Sequence, residues 1–168
     1  MASLAPLLFF FAALPLCVYG AWTDLSRMRL YNKYNLLLFG VFLVLGLILL
    51  PFESYLWRLA AAAIVFGVGF LVNALGLVGG GDAKFCAAGV PWIATEHLQP
   101  FIMVFFTMML AAFVTHRIFR ALPVARIAGA DWVSWDAGRK FPMGLALAGS
   151  LLFYLACVAF FRFPVLAY

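Results

Sequence analysis

Charge is what this chain has least of. Asp, Glu, Lys and Arg make up 10% of its 168 residues, against 68% hydrophobic. A soluble domain carries about a quarter charged and about half apolar residues. A core of this size cannot hide so much apolar surface, so the chain reads as an integral membrane protein with a single membrane domain over residues 1–168 and no large soluble one. Cysteine is scarce as well. Cys17, Cys86 and Cys157 stand apart in apolar stretches. Without a C-x-x-C spacing they suggest neither a zinc site nor a redox pair, and they read as small buried hydrophobes. No Lys or Arg precedes Arg27. The N-terminus therefore lacks the basic region of a cleaved secretory signal, and residues 4–22 read as a retained membrane helix. Repeats and low-complexity tracts are missing. The net charge of +5 does not point to nucleic acid, because the cations fall in a few short loops, as membrane topology requires.

Six apolar segments are present: Leu4–Trp22, Asn35–Leu50, Trp57–Gly76, Ala83–Thr95, Phe101–Phe119 and Pro142–Phe161. The expected fold is all-α and polytopic, with six transmembrane helices. A span needs about 20 apolar residues. The fourth segment is short of that, and is expected to tilt, to thin the bilayer or to begin below the surface. Arg27, Arg29, Lys33, Lys84, Arg117, Arg120, Arg126, Arg139 and Lys140 fall on one side of this arrangement. That side is expected to be cytoplasmic, with both termini outside. The stretch Leu122–Phe141, with Asp131, Trp132, Trp135 and Asp136, reads as interfacial, its tryptophans at headgroup level.

With so few acids, their positions matter. Asp24 follows the first segment, and Asp82 follows the third within Gly79-Gly80-Gly81-Asp82-Ala83-Lys84. A carboxylate at the centre of an inserted helix costs roughly 2.5–3.5 kcal/mol, so such a residue marks a functional site by default. The topology puts both aspartates on one side. Two carboxyls brought together share a proton: the neutral one donates to a scissile carbonyl and the ionised one takes a proton from water, as in an aspartic protease. The glycines permit positive φ and close backbone approach, or are simply a loop. Lys84 either neutralises Asp82, touches phospholipid or anchors the cytoplasmic side. The glycines match no phosphate-binding pattern. His97 and His116 fall on opposite sides and so cannot share a metal. Asn73 and the glycines Gly67, Gly69 and Gly76 read as helix-packing residues. A different class of function, a small proton-coupled transporter or channel using Asp24 and Asp82 as relay carboxylates, fits the same acids, although the repeated halves common in transporters are not visible.

Asp24-x-x-Arg27-x-x-Leu30-Tyr31-Asn32 resembles the D-x-x-x-x-x-I-P-N motif of type IV prepilin peptidases, and Gly79–Lys84 resembles their G-x-G-D-x-K motif. Lys140-Phe141-Pro142-Met143-Gly144 is similar to the element that opens a late helix in that family. The resemblance covers nearly the whole chain. It implies a membrane aspartic endopeptidase of the GxGD fold, with Asp24 and Asp82 catalytic and Gly79, Gly81, Lys84, Arg27 and Asn32 supporting the loops or the substrate. It also implies a location in the bacterial inner membrane, an active site at the cytoplasmic face, and a prepilin partner whose leader is cut before a hydrophobic helix. Chain length favours the small CpaA/TadV-like branch that processes Flp-type pilins. The methyltransferase domain with its paired zinc motifs is missing, so no cofactor and no metal are implied. One departure is Tyr31, where the family has proline. It puts the geometry of the first loop in question.

Overall fold

A computed structural model of the chain describes residues 4–122, 131–138 and 140–161. Those residues form helices: α1 (Ala5–Arg27), α2 (Asn32–Leu49), α3 (Phe52–Ala74), α4 (Gly80–Gly89), α5 (Leu98–Ala121), α6 (Val133–Asp136) and α7 (Met143–Phe160). Single 3₁₀ turns at Val90–Trp92 and Thr95–His97 join α4 to α5. Pro6, Pro51 and Pro142 sit where a helix begins and an N–H is not needed, at the start of α1 and just ahead of α3 and α7, while Pro15 lies inside α1.

Five helices are long and apolar enough to cross a membrane: α1, α2, α3, α5 with its preceding turn, and α7. The sixth expected span is not among them. The segment Ala83–Thr95 is the ten-residue α4 followed by the two tight turns. At 1.5 Å per residue α4 reaches about 15 Å, half of a hydrocarbon core of about 30 Å. Pro91, which lacks an N–H, follows at once and breaks the helical ladder. The short helix is sheathed by its neighbours. It runs antiparallel to α3, with Gly80 beside Asn73, Ala83 against Gly69, and the Pro91 carbonyl accepting from Arg58 Nη1 at 3.5 Å.

The helices α1 and α7 form the main antiparallel pair. Phe10 and Phe160 pack ring to ring at 5.2 Å near one end, and Asp24 meets Gly144 at the other. Between the ends lies an aromatic core in which Phe9 and Phe42 close on Trp92 at 5.7 and 5.8 Å. Side chains of α5 such as Phe106 and Leu110 are exposed, as the surface of a lipid-facing helix should be.

Among the described cations, Arg58 lies at one end of the bundle, whereas the other end collects Arg27, Lys84, Arg117 and Arg120 with both aspartates. There α5 continues past the start of α7. Phe113 lies level with Phe141, and His116 is buried between Phe141 and Trp135. Trp135 is therefore buried against a helix, stacked also on Trp132 at 5.4 Å, and is not a free headgroup anchor. Much of the remaining interfacial stretch, residues 123–130 and 139, including Arg126 and Arg139, lies outside the described residues. Two other packing expectations change. Asn73 does not bridge spans but donates to the Val78 carbonyl at 2.8 Å, closing the turn ahead of α4. Of the three glycines in and after α3, only Gly69 meets a neighbouring helix.

At the opposite end, Tyr154 fixes the turns after α4. Its hydroxyl accepts the Ala94 N–H at 3.1 Å and lies 2.9 Å from His97 Nδ1. An unmade buried hydrogen bond costs about 1–3 kcal/mol. Tyr154→Phe should therefore destabilise the protein by about that amount in a detergent melt, whereas an unchanged melting temperature would show that the turns are held by other contacts.

Candidate functional site

Asp24 lies in the last turn of α1 and is 5% exposed. The C-terminal end of a helix carries partial negative charge and is the wrong place for a carboxylate. The correction comes from the far end of the sequence. Gly144, at the start of α7, donates its N–H to Asp24 Oδ2 at 2.7 Å. The first N–H groups of a helix have no partner within it and carry partial positive charge, so Asp24 belongs electrostatically to α7. The approach requires glycine. A methyl group on Gly144 would stand 2.9 Å from Asp24 Oδ2 and 3.0 Å from its Cβ.

Asp82 lies in the first turn of α4, in the favourable field of that helix's own N-terminus. Gly79 caps the helix with φ −62°. No residue of the Gly79–Gly81 run has positive φ, which among the described glycines occurs only at Gly76 and Gly138. The run is the opening turn of a helix, and its glycines serve close approach: a methyl on Gly79 would lie 2.8 Å from Asp82 Oδ2. Burial pushes the Asp82 carboxyl above the ordinary aspartate range.

The two aspartates are brought to one end of the bundle, Asp24 through Gly144 and Asp82 through the start of α4. The α1–α2 connection lies beside both. Leu30 faces the position of Gly144 with its side chain and that of Gly81 with its carbonyl. Two structures hold this connection. Met28 takes the left-handed conformation (φ 52°), and its N–H closes on the Asp24 carbonyl at 2.8 Å. Tyr31 then opens α2 with φ −76° and ψ 142°, inside the range that a proline ring would impose. Arg27 Nη1 donates to the Tyr31 hydroxyl at 3.2 Å. The tyrosine thus keeps the torsion of the proline it replaces.

Lys84 does not face Asp82. Two residues apart on a helix, the side chains point to different sides, and Lys84 Nζ donates to Asn32 Oδ1 at 2.9 Å, tying α4 to the start of α2. Of the seven residues singled out in the sequence, Asp24, Gly79, Gly81 and Asp82 converge, whereas Arg27, Asn32 and Lys84 brace the surrounding connections. Sequence reasoning missed Asn35. It is 4% exposed, and its Nδ2 donates to the Gly81 carbonyl at 3.2 Å, immediately before Asp82. Asn35 opens the second apolar segment, one helical turn into α2, and that place was the available signal. Gly144 stood inside a noted motif, but its tie to Asp24 spans 120 residues and has no local signature. Converging carboxyls of this kind, one buried and one half-buried, can share a proton and act as acid and base.

The sequence profile of the type IV leader peptidase family matches residues 9–116, a stretch that contains both aspartates. No curated protein and no solved structure matches the chain.

Two outcomes follow from this geometry. Gly144→Ala should break the bond to Asp24; a hydrogen bond to a charged group is worth about 1.5–3 kcal/mol, so activity should fall roughly 10- to 100-fold, with folding checked by size-exclusion in detergent. Tyr31→Pro should be tolerated, with stability within about 1 kcal/mol of the parent; a large loss in a thermal melt would mean that the Arg27–Tyr31 contact, not the torsion, holds the loop. The raised value of Asp82 has a definite sign. Its stabilising contribution is complete below the unfolded value of about 3.9 and is lost as pH rises through the folded value. Asp82→Asn should therefore melt higher than the parent at neutral pH, and the difference should shrink on acidification.

Proposed function

The chain belongs to the type IV leader peptidase family, and we propose that it is an aspartic endopeptidase removing prepilin leaders, with Asp24 and Asp82 as its catalytic pair. The observation that carries this reading is the convergence of a buried aspartate, Asp24, and a half-buried one, Asp82, 58 residues apart in the chain, at one end of a membrane bundle. Each sits at the N-terminus of a different helix, α7 for Asp24 and α4 for Asp82.

The chemistry follows from one shared proton. With the pair singly protonated, the ionised carboxylate takes a proton from a water molecule as its oxygen attacks the scissile carbonyl. The neutral carboxyl donates to the carbonyl oxygen, so no free oxyanion develops. Collapse of the tetrahedral species breaks the C–N bond, and the proton taken from water passes to the departing amine. The pair titrates as a unit, and its protons belong to both groups. The Gly144 N–H donates to Asp24, and the shared proton belongs to the pair rather than to one carboxyl.

The clustering of Lys and Arg at this end supports a cytoplasmic active site in the inner membrane, where a leader would be presented. The substrate proposed is a Flp-type pilin, as in the small members that the motifs resemble.

Conversion of a co-expressed prepilin, read as a gel shift, tests the pair. Asp24→Asn and Asp82→Asn should each reduce cleavage by about 10²-fold or more, with the protein still in the membrane; full processing by either variant overturns the assignment. Lys84→Ala should cost less than about 10-fold, since it removes a brace and not a reacting group. The cleavage rate should fall on the alkaline side as the pair loses its shared proton.

A further inference from the structure

Asp82 is carried on a weak piece of backbone. Three glycines precede it, and two of them, Gly80 and Gly81, already belong to α4. Glycine has the most conformational freedom to lose of any residue, and it lowers the stability of a helix. The opening turn of α4 therefore has little stiffness of its own with which to hold a carboxyl in one direction. Bulkier residues do not fit there. A methyl on Gly81 would stand 3.2 Å from the Leu30 carbonyl oxygen and 3.3 Å from the Leu30 Cβ. Whatever holds Asp82 in place must come from outside the glycine run.

Asn35 is the side chain placed to do so. It is 4% exposed on α2, and its Nδ2 donates to the Gly81 carbonyl at 3.2 Å. That carbonyl and the N–H of Asp82 belong to one planar peptide unit, so fixing the carbonyl fixes the direction in which the chain enters Asp82. The bond is not needed to satisfy the backbone, because a carbonyl at the start of a helix has a ladder donor four residues on. The other half of the amide argues against a packing role. Asn35 Oδ1 is buried and has no partner among the described residues, a cost that a leucine of similar shape would not carry. What asparagine brings to this position is one donor, directed at the peptide ahead of Asp82. Two residues beyond Asp82, Lys84 Nζ donates to Asn32 Oδ1 at 2.9 Å. The first turn of α2 thus holds α4 on both sides of Asp82. That same turn follows directly on Leu30, which lies against the positions of both Gly81 and Gly144.

We propose that Asn35 is a positioning residue for Asp82: through the Gly81 carbonyl it fixes the separation and direction of the Asp82 carboxyl relative to Asp24, and with them the sharing of the proton. The inference rests on the peptidase reading above and adds to it a residue that touches neither the water nor the scissile bond. The glycines and Asn35 then act together. Glycine permits the close approach and gives up stiffness, and the buried amide restores stiffness at the peptide where it decides the chemistry.

Asn35→Leu and Asn35→Asp test this on a purified prepilin in detergent, with size-exclusion as the check of folding. A reacting group misplaced by about 1 Å loses about 10²-fold in rate. Asn35→Leu should accordingly lower kcat about 10- to 100-fold, with KM within about 2-fold of the parent. Its melting temperature should be unchanged or higher. The two limbs of its pH–rate profile should draw together, because carboxyls set further apart interact less and their two apparent values separate less. Asn35→Asp keeps the shape of the side chain but can donate to the Gly81 carbonyl only when protonated. The ratio of its kcat to that of the parent should rise on acidification, whereas the ratio for Asn35→Leu should not. Unchanged kcat in Asn35→Leu overturns the proposal. So does a lower kcat that comes with a lower melting temperature and an unchanged pH profile, or an Asn35→Asp ratio that stays flat with pH. A failure of the peptidase reading would appear elsewhere, as cleavage persisting in Asp82→Asn.

Discussion

The hydrogen bond from Gly144 to Asp24 is the contact on which the rest of the arrangement depends. It places a buried carboxylate, stranded at the wrong end of α1, in the field of another helix. In doing so it sets the α1–α7 pair in antiparallel register and brings the last described helix to the first. The α1–α2 connection is then folded in between, where Leu30 reaches the surroundings of both Gly81 and Gly144. Without this bond, Asp24 would be a costly charge with no compensation in an apolar bundle.

Among the described residues, the polar contacts that surround α4 gather at two ends of the molecule. At one, the aspartates, Asn35 and the Asn32–Lys84 pair lie around the start of α4. At the other, Tyr154, His97 and the Ala94 amide hold the turns that follow it. Between them the contacts are aromatic and aliphatic, from Phe9, Phe42 and Trp92 to Leu38 and Leu151. The shortness of α4 fits this division. A ten-residue helix fixed at both of its ends presents Asp82 from a rigid mount rather than from a loose loop.

The features legible in the sequence are those with local signatures. Long apolar runs announced α1, α2, α3, α5 and α7, and the family of the chain was readable from the residues around Asp24 and Asp82. The fourth segment was visibly too short, although its division into α4 and two tight turns needed Pro91 to be placed in three dimensions. The glycine run was expected to give positive φ and close backbone approach, or simply a loop; the chain there already opens a helix without positive φ, and it is the close approach that the glycines serve. Lys84 was considered as a partner for Asp82 because it is close in sequence, and helical geometry turns it away. Asn35 and the tie from Gly144 stayed hidden for the opposite reason. Each acts on a residue far along the chain, 46 and 120 positions away, and no spacing rule connects them. Trp135, read as a headgroup anchor from its neighbours, is instead covered by His116.

Tyr31 bears on what a sequence motif encodes. The backbone there takes a torsion available to proline, while the side chain gains a contact with Arg27 that no proline could make. What the position specifies is a dihedral angle at the head of a helix, and the chain can satisfy it with a ring that locks the backbone or with a phenol tethered from the preceding turn. Patterns written in residue letters treat these as a match and a mismatch. Written in angles, they are two spellings of one instruction, and relatives with other residues at this position can be sought by asking which of them leave that angle undisturbed.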